Sequence, residues 1–275
     1  MKYPLIAAKV AREIWAVRPE TFEAIHAVVF GERVAMPFAP GTPAEEDDDE
    51  CDMDSIAPGA TRVIPVFGIL GKHLDSIEMS CGGCSVDRTS ALLTAADKDP
   101  DCERIILAFH SPGGTVTGIP ELAAKILDIC TRKPVIAYTD GQCCSAALWL
   151  ASAADAFIVA PSAQVGSVGV FCMSLDESRK MEMEGVKVNA VSDGKYKLTG
   201  APFKPMTDDE RAMIQERVSA TATAFRAALT ANRKIASEDM EGQVFTGEEA
   251  VAKGFADGLA NDLTELLEQL DESGG

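Results

Sequence analysis

With 275 residues, 47% of them hydrophobic, the chain has the length and apolar content for one large domain, or one domain with appendages, around a substantial core. Asp and Glu outnumber Lys and Arg by 43 to 25, a formal net charge of −18. That excludes nucleic acid as a partner, since no basic stripe is left to meet phosphates, and it weighs equally against an anionic membrane surface.

The N-terminus carries Lys2, Lys9, Arg12 and Glu13 among its apolar residues, so it lacks the uninterrupted apolar region of a signal peptide. No charge-free run elsewhere is long enough to span a bilayer. Eight cysteines without a secretion signal imply reduced thiols in a cytoplasm. Cys81-Gly82-Gly83-Cys84 has C-x-x-C spacing, but no second pair joins it to complete a zinc site, and neither a metal nor a cofactor is expected.

Residues 1–34 show helical spacing (Ile6, Val10, Ile14, then Phe22, Ile25, Val29) broken at Pro19-Glu20-Thr21, and predict a helical arm packed on its own domain or on a neighbouring subunit. Residues 35–60 change character. Pro37, Pro40, Gly41 and Pro43 lead into an acidic block from Glu45 to Asp54 that repels itself and buries nothing, which predicts a flexible linker. The spaced ligands and central glycine of a calcium loop are missing. The main domain is expected over 61–262, with a C-terminal helix and tail over 263–275. Strands are predicted at Thr61–Leu70, Glu103–His110, Pro134–Tyr138, Ala156–Ala160 and Val186–Val191. Helices are predicted at Ser85–Asp97, Gly118–Thr131, the segment after Ser145, Asp208–Ile235, Gly247–Lys253 and Leu263–Leu270. Apolar strands alternating with helices define an α/β fold with a parallel sheet flanked by helices.

Chemistry concentrates at two strand-to-helix turns. At Asp140-Gly141-Gln142-Cys143-Cys144-Ser145 a polar turn gives way to a buried apolar helix, placing Ser145 at a helix N-terminus where backbone N–H groups favour negative charge. The ordinary role of such a serine is an N-cap. One turn earlier, His110-Ser111-Pro112-Gly113-Gly114 offers two glycines whose N–H groups can line a cleft unobstructed, as in an oxyanion hole; alone it is also an ordinary tight turn. A nucleophilic serine needs a base. His26, His73 and His110 all precede Ser145, and a lysine with its charge suppressed is the other option. Lys195 and Lys197, in Gly194-Lys195-Tyr196-Lys197, are candidates that composition alone leaves as solvated charges. Cys144 with His110 is a rival nucleophile and base.

Four motifs in order, Ser-Pro-Gly-Gly (111–114), Ser-Ala-Ala-Leu-Trp-Leu-Ala-Ser-Ala-Ala-Asp (145–155), Val-Gly-Ser-Val-Gly-Val (165–170) and Gly-Lys-Tyr-Lys with Ala-Pro-Phe (194–203), resemble the signal-peptide peptidase A family of serine peptidases over about 63–259. The resemblance implies a Clp protease/crotonase-like fold and a Ser-Lys dyad. Carried over residue by residue, it makes Ser145 the nucleophile, Lys197 the general base and Ser167 the serine that orients the lysine. The oxyanion hole falls to the N–H of Gly113 with Gly114 or Ala146. The chain departs from the family in having Ala146-Ala147 where Gly-Gly is common, which adds methyl groups by the site without removing a donor. The membrane anchor of cellular members is not expected here. With its short N-terminal arm, the layout resembles tailed-bacteriophage capsid-assembly proteases, implying scaffold and capsid proteins as substrates, a homo-oligomeric ring, and a place in the host cytoplasm within the assembling prohead. Many such proteins continue into a scaffold region, expected here to be removed or separately encoded because the sequence ends at Gly275. Two alternatives share these residues: a cytoplasmic enzyme degrading peptides, and a non-catalytic assembly protein on the same fold. No feature of a coenzyme A pocket, the sign of a true crotonase, is found.

Overall fold

The computed structural model describes residues 13–22, 25, 56–57 and 61–273. In chain order the strands are β1 (Trp15–Val17), β2 (Ile56–Ala57), β3 (Thr61–Phe67), β4 (Ile69–Gly71), β5 (Gly83–Ser85), β6 (Arg104–His110), β7 (Gly113–Thr115), β8 (Val135–Thr139), β9 (Gln142–Cys144), β10 (Ala156–Val159), β11 (Gln164–Gly166), β12 (Val244–Thr246) and β13 (Gly258–Leu259). The helices are α1 (Ser76–Ser80), α2 (Val86–Lys98), α3 (Ile119–Cys130), α4 (Ala146–Ala151), α5 (Ser178–Met183), α6 (Asp208–Asn232), α7 (Gly247–Ala252) and α8 (Leu263–Ser273).

The long β-branched runs form the main sheet, in the order β13-β10-β8-β6-β3-β2. All its pairings are parallel except that of the edge strand β2. This is the parallel sheet flanked by helices that the alternating pattern predicts. Four of these strands turn sharply into a three-residue strand of a second layer: β3 into β4 at Gly68 (φ 96°), β6 into β7, β8 into β9, and β10 into β11. The second layer is two small sheets, β1-β7-β4-β5 and β12-β11-β9. They meet where Ser111 bridges Cys143, with Ser111 N–H donating to Gln142 O (2.8 Å) and Cys144 N–H to Ser111 O (3.1 Å).

Helix positions follow from local sequence. Ser85 caps α2 by accepting from the Arg88 N–H, and a Thr207–Glu210 capping box starts α6. On α3 the residues Ile119, Leu122, Ala123, Ile126 and Ile129 form one buried stripe. Every residue of α4 is buried, and its Trp149 ring stacks on Phe225 of α6 with centroids 4.7 Å apart and planes 5° from parallel.

Three expectations are corrected. Trp15–Val17, placed by spacing in a helical arm, form a strand: an aromatic and a β-branched residue flank Ala16, and pairing with β7 outweighs weak helical propensity. Residues 186–191, predicted as a strand, have no strand pairing among the described residues; Val186, Val188 and Val191 are exposed, and no described strand offers partners for their backbone. Thr61–Leu70 is two strands, bent at Gly68. The rest of the predicted arm, and the linker apart from Ile56–Ala57, lie outside the described residues.

The Trp149–Phe225 stack ties the helix behind Ser145 to the longest helix of the domain. Trp149→Ala is expected to lower the unfolding free energy by about 3–5 kcal/mol, measured by urea denaturation.

Candidate active site

The joint between the two small sheets brings together three loop corners. Ser145 directly follows β9, Ser167 directly follows β11, and Gly113 opens β7. Strands β9 and β11 run parallel with Cys144 opposite Gly166. The two serines are therefore equivalent positions at the ends of neighbouring strands, and both take φ 55°.

Ser145 has φ 55° and ψ −117°, the corner that type II′ turns reserve for glycine. Main-chain bonds hold it there: its N–H donates to Gly166 O at 2.8 Å, and its carbonyl accepts from Trp149 N–H at 3.0 Å. The residue is buried, its side chain caps nothing, and Oγ has no hydrogen-bond partner among the described residues. That disposes of the N-cap role. A buried hydroxyl left unpaired costs about 1–3 kcal/mol, and strained, unsatisfied groups cluster where chemistry is done.

Gly113 (φ 103°) lies against this corner. A Cβ placed on it would stand 3.0 Å from Ser145 Cβ and 3.0 Å from Cys144 O, and would collide with Ala16 O, so only glycine fits. At Gly114 a Cβ would collide with the Leu70 backbone. The Gly113 N–H donates to Ser111 Oγ at 3.2 Å, and that hydroxyl in turn donates to Gly68 O at 2.6 Å. Ser111 is thus a structural hinge-pin that motif reading passed over. Ala146 begins α4, whose first-turn N–H groups have no partner within their own helix. Ser167 is buried, and its N–H donates to Gln243 O at 2.6 Å.

The bases separate clearly. Lys195 pairs with Asp209 at 2.6 Å, and that hydrogen bond holds its ammonium protonated above the usual lysine range. Lys197 is exposed in the turn-rich 194–200 segment, and its Nζ has neither hydrogen bond nor ion pair among the described residues. It makes no hydrogen bond to Ser145 within the chain, whose Oγ has no partner among the described residues. His110 packs edge-on to Phe67 (6.4 Å, 85°) and against Gly141. The rival nucleophile Cys144 is buried, its Sγ donates to Gln164 O (3.5 Å), and burial pushes its thiol up to about 12, leaving essentially no thiolate near neutrality. Cys84 of the C-x-x-C pair is likewise buried with its thiol raised by burial, whereas Cys81 is exposed. Among the described residues no cluster of three or more His, Cys, Asp or Glu side chains could hold a metal ion, and no helix is long and apolar enough to cross a membrane.

An α/β protein with a strained, buried, unpaired serine beside a glycine-only turn has the framework of an acyl-transfer enzyme. Residues 129–273, which take in Ser145, Ser167 and Lys197, match peptidase family S49, and the chain belongs to that family. It is 32% identical to capsid assembly protease C of Escherichia phage lambda over 215 residues, covering 76% of this chain and 49% of that protein. It is 30% identical to the head-tail preconnector protein of Enterobacteria phage P21 over 202 residues, covering 72% of this chain and 40% of that protein. The chain therefore spans half or less of the length of these two relatives. Among solved structures it is similar to a membrane-bound stomatin-specific protease, at 18% identity and a TM-score of 0.42 over 78% of this chain and 85% of that one.

Two outcomes test the corner. Ser145→Gly is expected to raise the unfolding free energy by about 1 kcal/mol, because relieved strain of ~1–3 kcal/mol outweighs the ~0.5–1 kcal/mol of added chain entropy; denaturant titration measures it. Iodoacetamide at pH 8, followed by peptide mapping, is expected to modify exposed Cys81 and leave Cys144 untouched while the protein is folded.

Proposed function

We propose that this chain is a serine endopeptidase in which Ser145 is the nucleophile and Lys197 the general base, acting on scaffold and capsid proteins during maturation of a phage prohead. The observation that carries the reading is the Ser145 hydroxyl, buried and unpaired at a strained corner beside Gly113. Membership of peptidase family S49 and likeness to a phage capsid assembly protease supply the reaction class and the setting.

In this reading uncharged Lys197 takes the proton of Ser145 Oγ as the oxygen attacks a peptide carbonyl. The oxyanion is received by the N–H of Gly113, exchanged from its long bond to Ser111, together with that of Ala146 or Gly114. The lysine ammonium returns the proton to the departing amine as the C–N bond breaks. Water, deprotonated by the same lysine, then cleaves the acyl-serine ester. Ser167 orients the lysine.

Because Lys197 is exposed and makes no hydrogen bond to Ser145 of its own chain, the dyad is completed across a contact between copies. The stretch of chain just before it carries exposed Met183, Val186, Val188 and Val191, an apolar surface that an adjoining copy would cover. A ring of copies in the host cytoplasm, inside the assembling prohead, satisfies both features. A peptide-degrading enzyme of the cell would use the same residues on different substrates.

The test uses purified wild type and the Ser145→Ala and Lys197→Ala variants, incubated with the scaffold protein encoded beside this chain, with cuts mapped by mass spectrometry. Each variant is expected to lose about a thousandfold or more of the rate, and mixing the two is expected to restore part of it by pairing an intact serine with an intact lysine. Undiminished cleavage by Ser145→Ala overturns the reading; a folded wild type that cuts nothing and takes up no serine-directed probe favours a non-catalytic assembly protein.

A further inference from the structure

The groove beside Ser145 is already filled by the chain itself. Strand β1 runs antiparallel to β7, with Val17 opposite Gly113, Ala16 opposite Gly114 and Trp15 opposite Thr115. On its other edge Trp15 exchanges both main-chain hydrogen bonds with Phe171, each 2.9 Å. Further bonds extend the pairing, from Arg18 N–H to Pro112 O (3.2 Å) and from Val116 N–H to Ile14 O (3.0 Å). A single extended segment therefore lies between the edge of β7 and the backbone of Phe171, and its Ala16 carbonyl lies against Gly113, the residue that touches Ser145. Nothing about the nucleophile is open to solvent in this arrangement, since Ser145 is 1% exposed.

The side chains alternate as a strand requires. Ala16 faces inward and joins the main core, whereas Trp15 and Val17 pack with Phe22, Ile25, Ile69 and Phe171 in a small cluster of their own. The Phe22 ring stands edge-on to both Trp15 (5.4 Å) and Phe171 (5.2 Å). Polar contacts pin both ends: Thr117 Oγ1 donates to Glu13 at 3.2 Å, and Arg18 bonds Gln164. The strap is thus held by the β7 edge, the bridge to Phe171, a satellite cluster and two side-chain contacts, with Ala16 its one side chain in the main core.

We propose that residues 13–22 are a substrate-like strap: they occupy the peptide cleft of the enzyme in the way a substrate strand would, and must leave before any substrate reaches Ser145. The inference rests on the peptidase reading. A strand edge with a further bridging residue one strand away accepts one extended peptide, by main-chain pairing that is indifferent to most side chains. Strap and substrate therefore compete for the same hydrogen bonds. Of the proposed oxyanion donors, Gly113 and Gly114 both lie opposite the strap, at Val17 and Ala16, while it is in place.

The test uses the full chain, wild type and a Trp15→Asp, Ala16→Pro double variant, in which a charge enters the satellite cluster and a strand N–H is removed. Two signals are read: the rate at which a fluorophosphonate labels Ser145, and binding of a fluorescein-labelled synthetic peptide with the sequence of residues 12–22. The wild type is expected to label slowly and bind no peptide. The variant is expected to label at least about tenfold faster, the gain when a competent state populated below a tenth is freed, to bind the peptide, and to return to slow labelling as peptide is added. Equal labelling rates in folded wild type and variant, or a folded variant that ignores the peptide, overturn the strap and leave the peptidase reading standing. Peptide binding without labelling in either protein supports the strap and sinks the serine mechanism. Should the variant fail to fold, hydrogen exchange on the wild type decides. The amides of Trp15, Val116 and Phe171 are expected to open together and well before those of Cys144 and Ser145; opening only with global unfolding makes the strap permanent structure.

Discussion

The site depends on a main-chain constraint. Ser145 cannot relax out of its glycine-like conformation because its N–H is bonded to Gly166 across the β9–β11 pairing, while its carbonyl is committed to the first turn of α4. Strain of this kind persists only where the surroundings over-determine it. Here they do so from three sides: a parallel neighbour strand, a fully buried helix anchored by the Trp149–Phe225 stack, and a glycine whose missing side chain makes room for the corner.

The two-layer design explains how short elements acquire such rigidity. Four of the six main-sheet strands each deliver a three-residue strand to the second layer, and such a strand would be marginal alone. Joined at Ser111 and Cys143, the short strands become one surface on which Gly113, Ser145 and Ser167 emerge together. The polar groups of these turns are satisfied locally, by Ser111 toward Gly68 and Gly113, so that the Ser145 hydroxyl stands out as an unmatched exception.

How far this was legible in the sequence follows from length and period. The long apolar strands and the striped or capped helices announce themselves, because β3, β6, α3 and α6 are long enough to express a pattern. Ser145 was legible because composition changes abruptly there. The second-layer strands were not: three residues such as Gly113–Thr115 or Gln142–Cys144 are too short to alternate and read as turns. Trp15–Val17 was hidden for a different reason, since its neighbours supply helical spacing and its partner β7 lies about a hundred residues away. Residues 186–191 misled in the opposite sense, a strand-like pattern with no edge to pair with. Lys197 was legible only through the likeness of its Gly-Lys-Tyr-Lys segment, and no hydrogen bond joins it to Ser145 among the described residues of one chain.

The parallel register of β9 and β11 has one more consequence. Cys144 and Gly166, the residues just before the two serine corners, stand one interstrand spacing apart, about 4.8 Å, fixed by amides and carbonyls rather than by the atoms that packing would substitute. Drift in the surrounding side chains can therefore shorten or lengthen the protein's lifetime without altering that gap. Only an insertion or deletion within these two three-residue segments would shift one corner against the other, and then by a whole residue at a time.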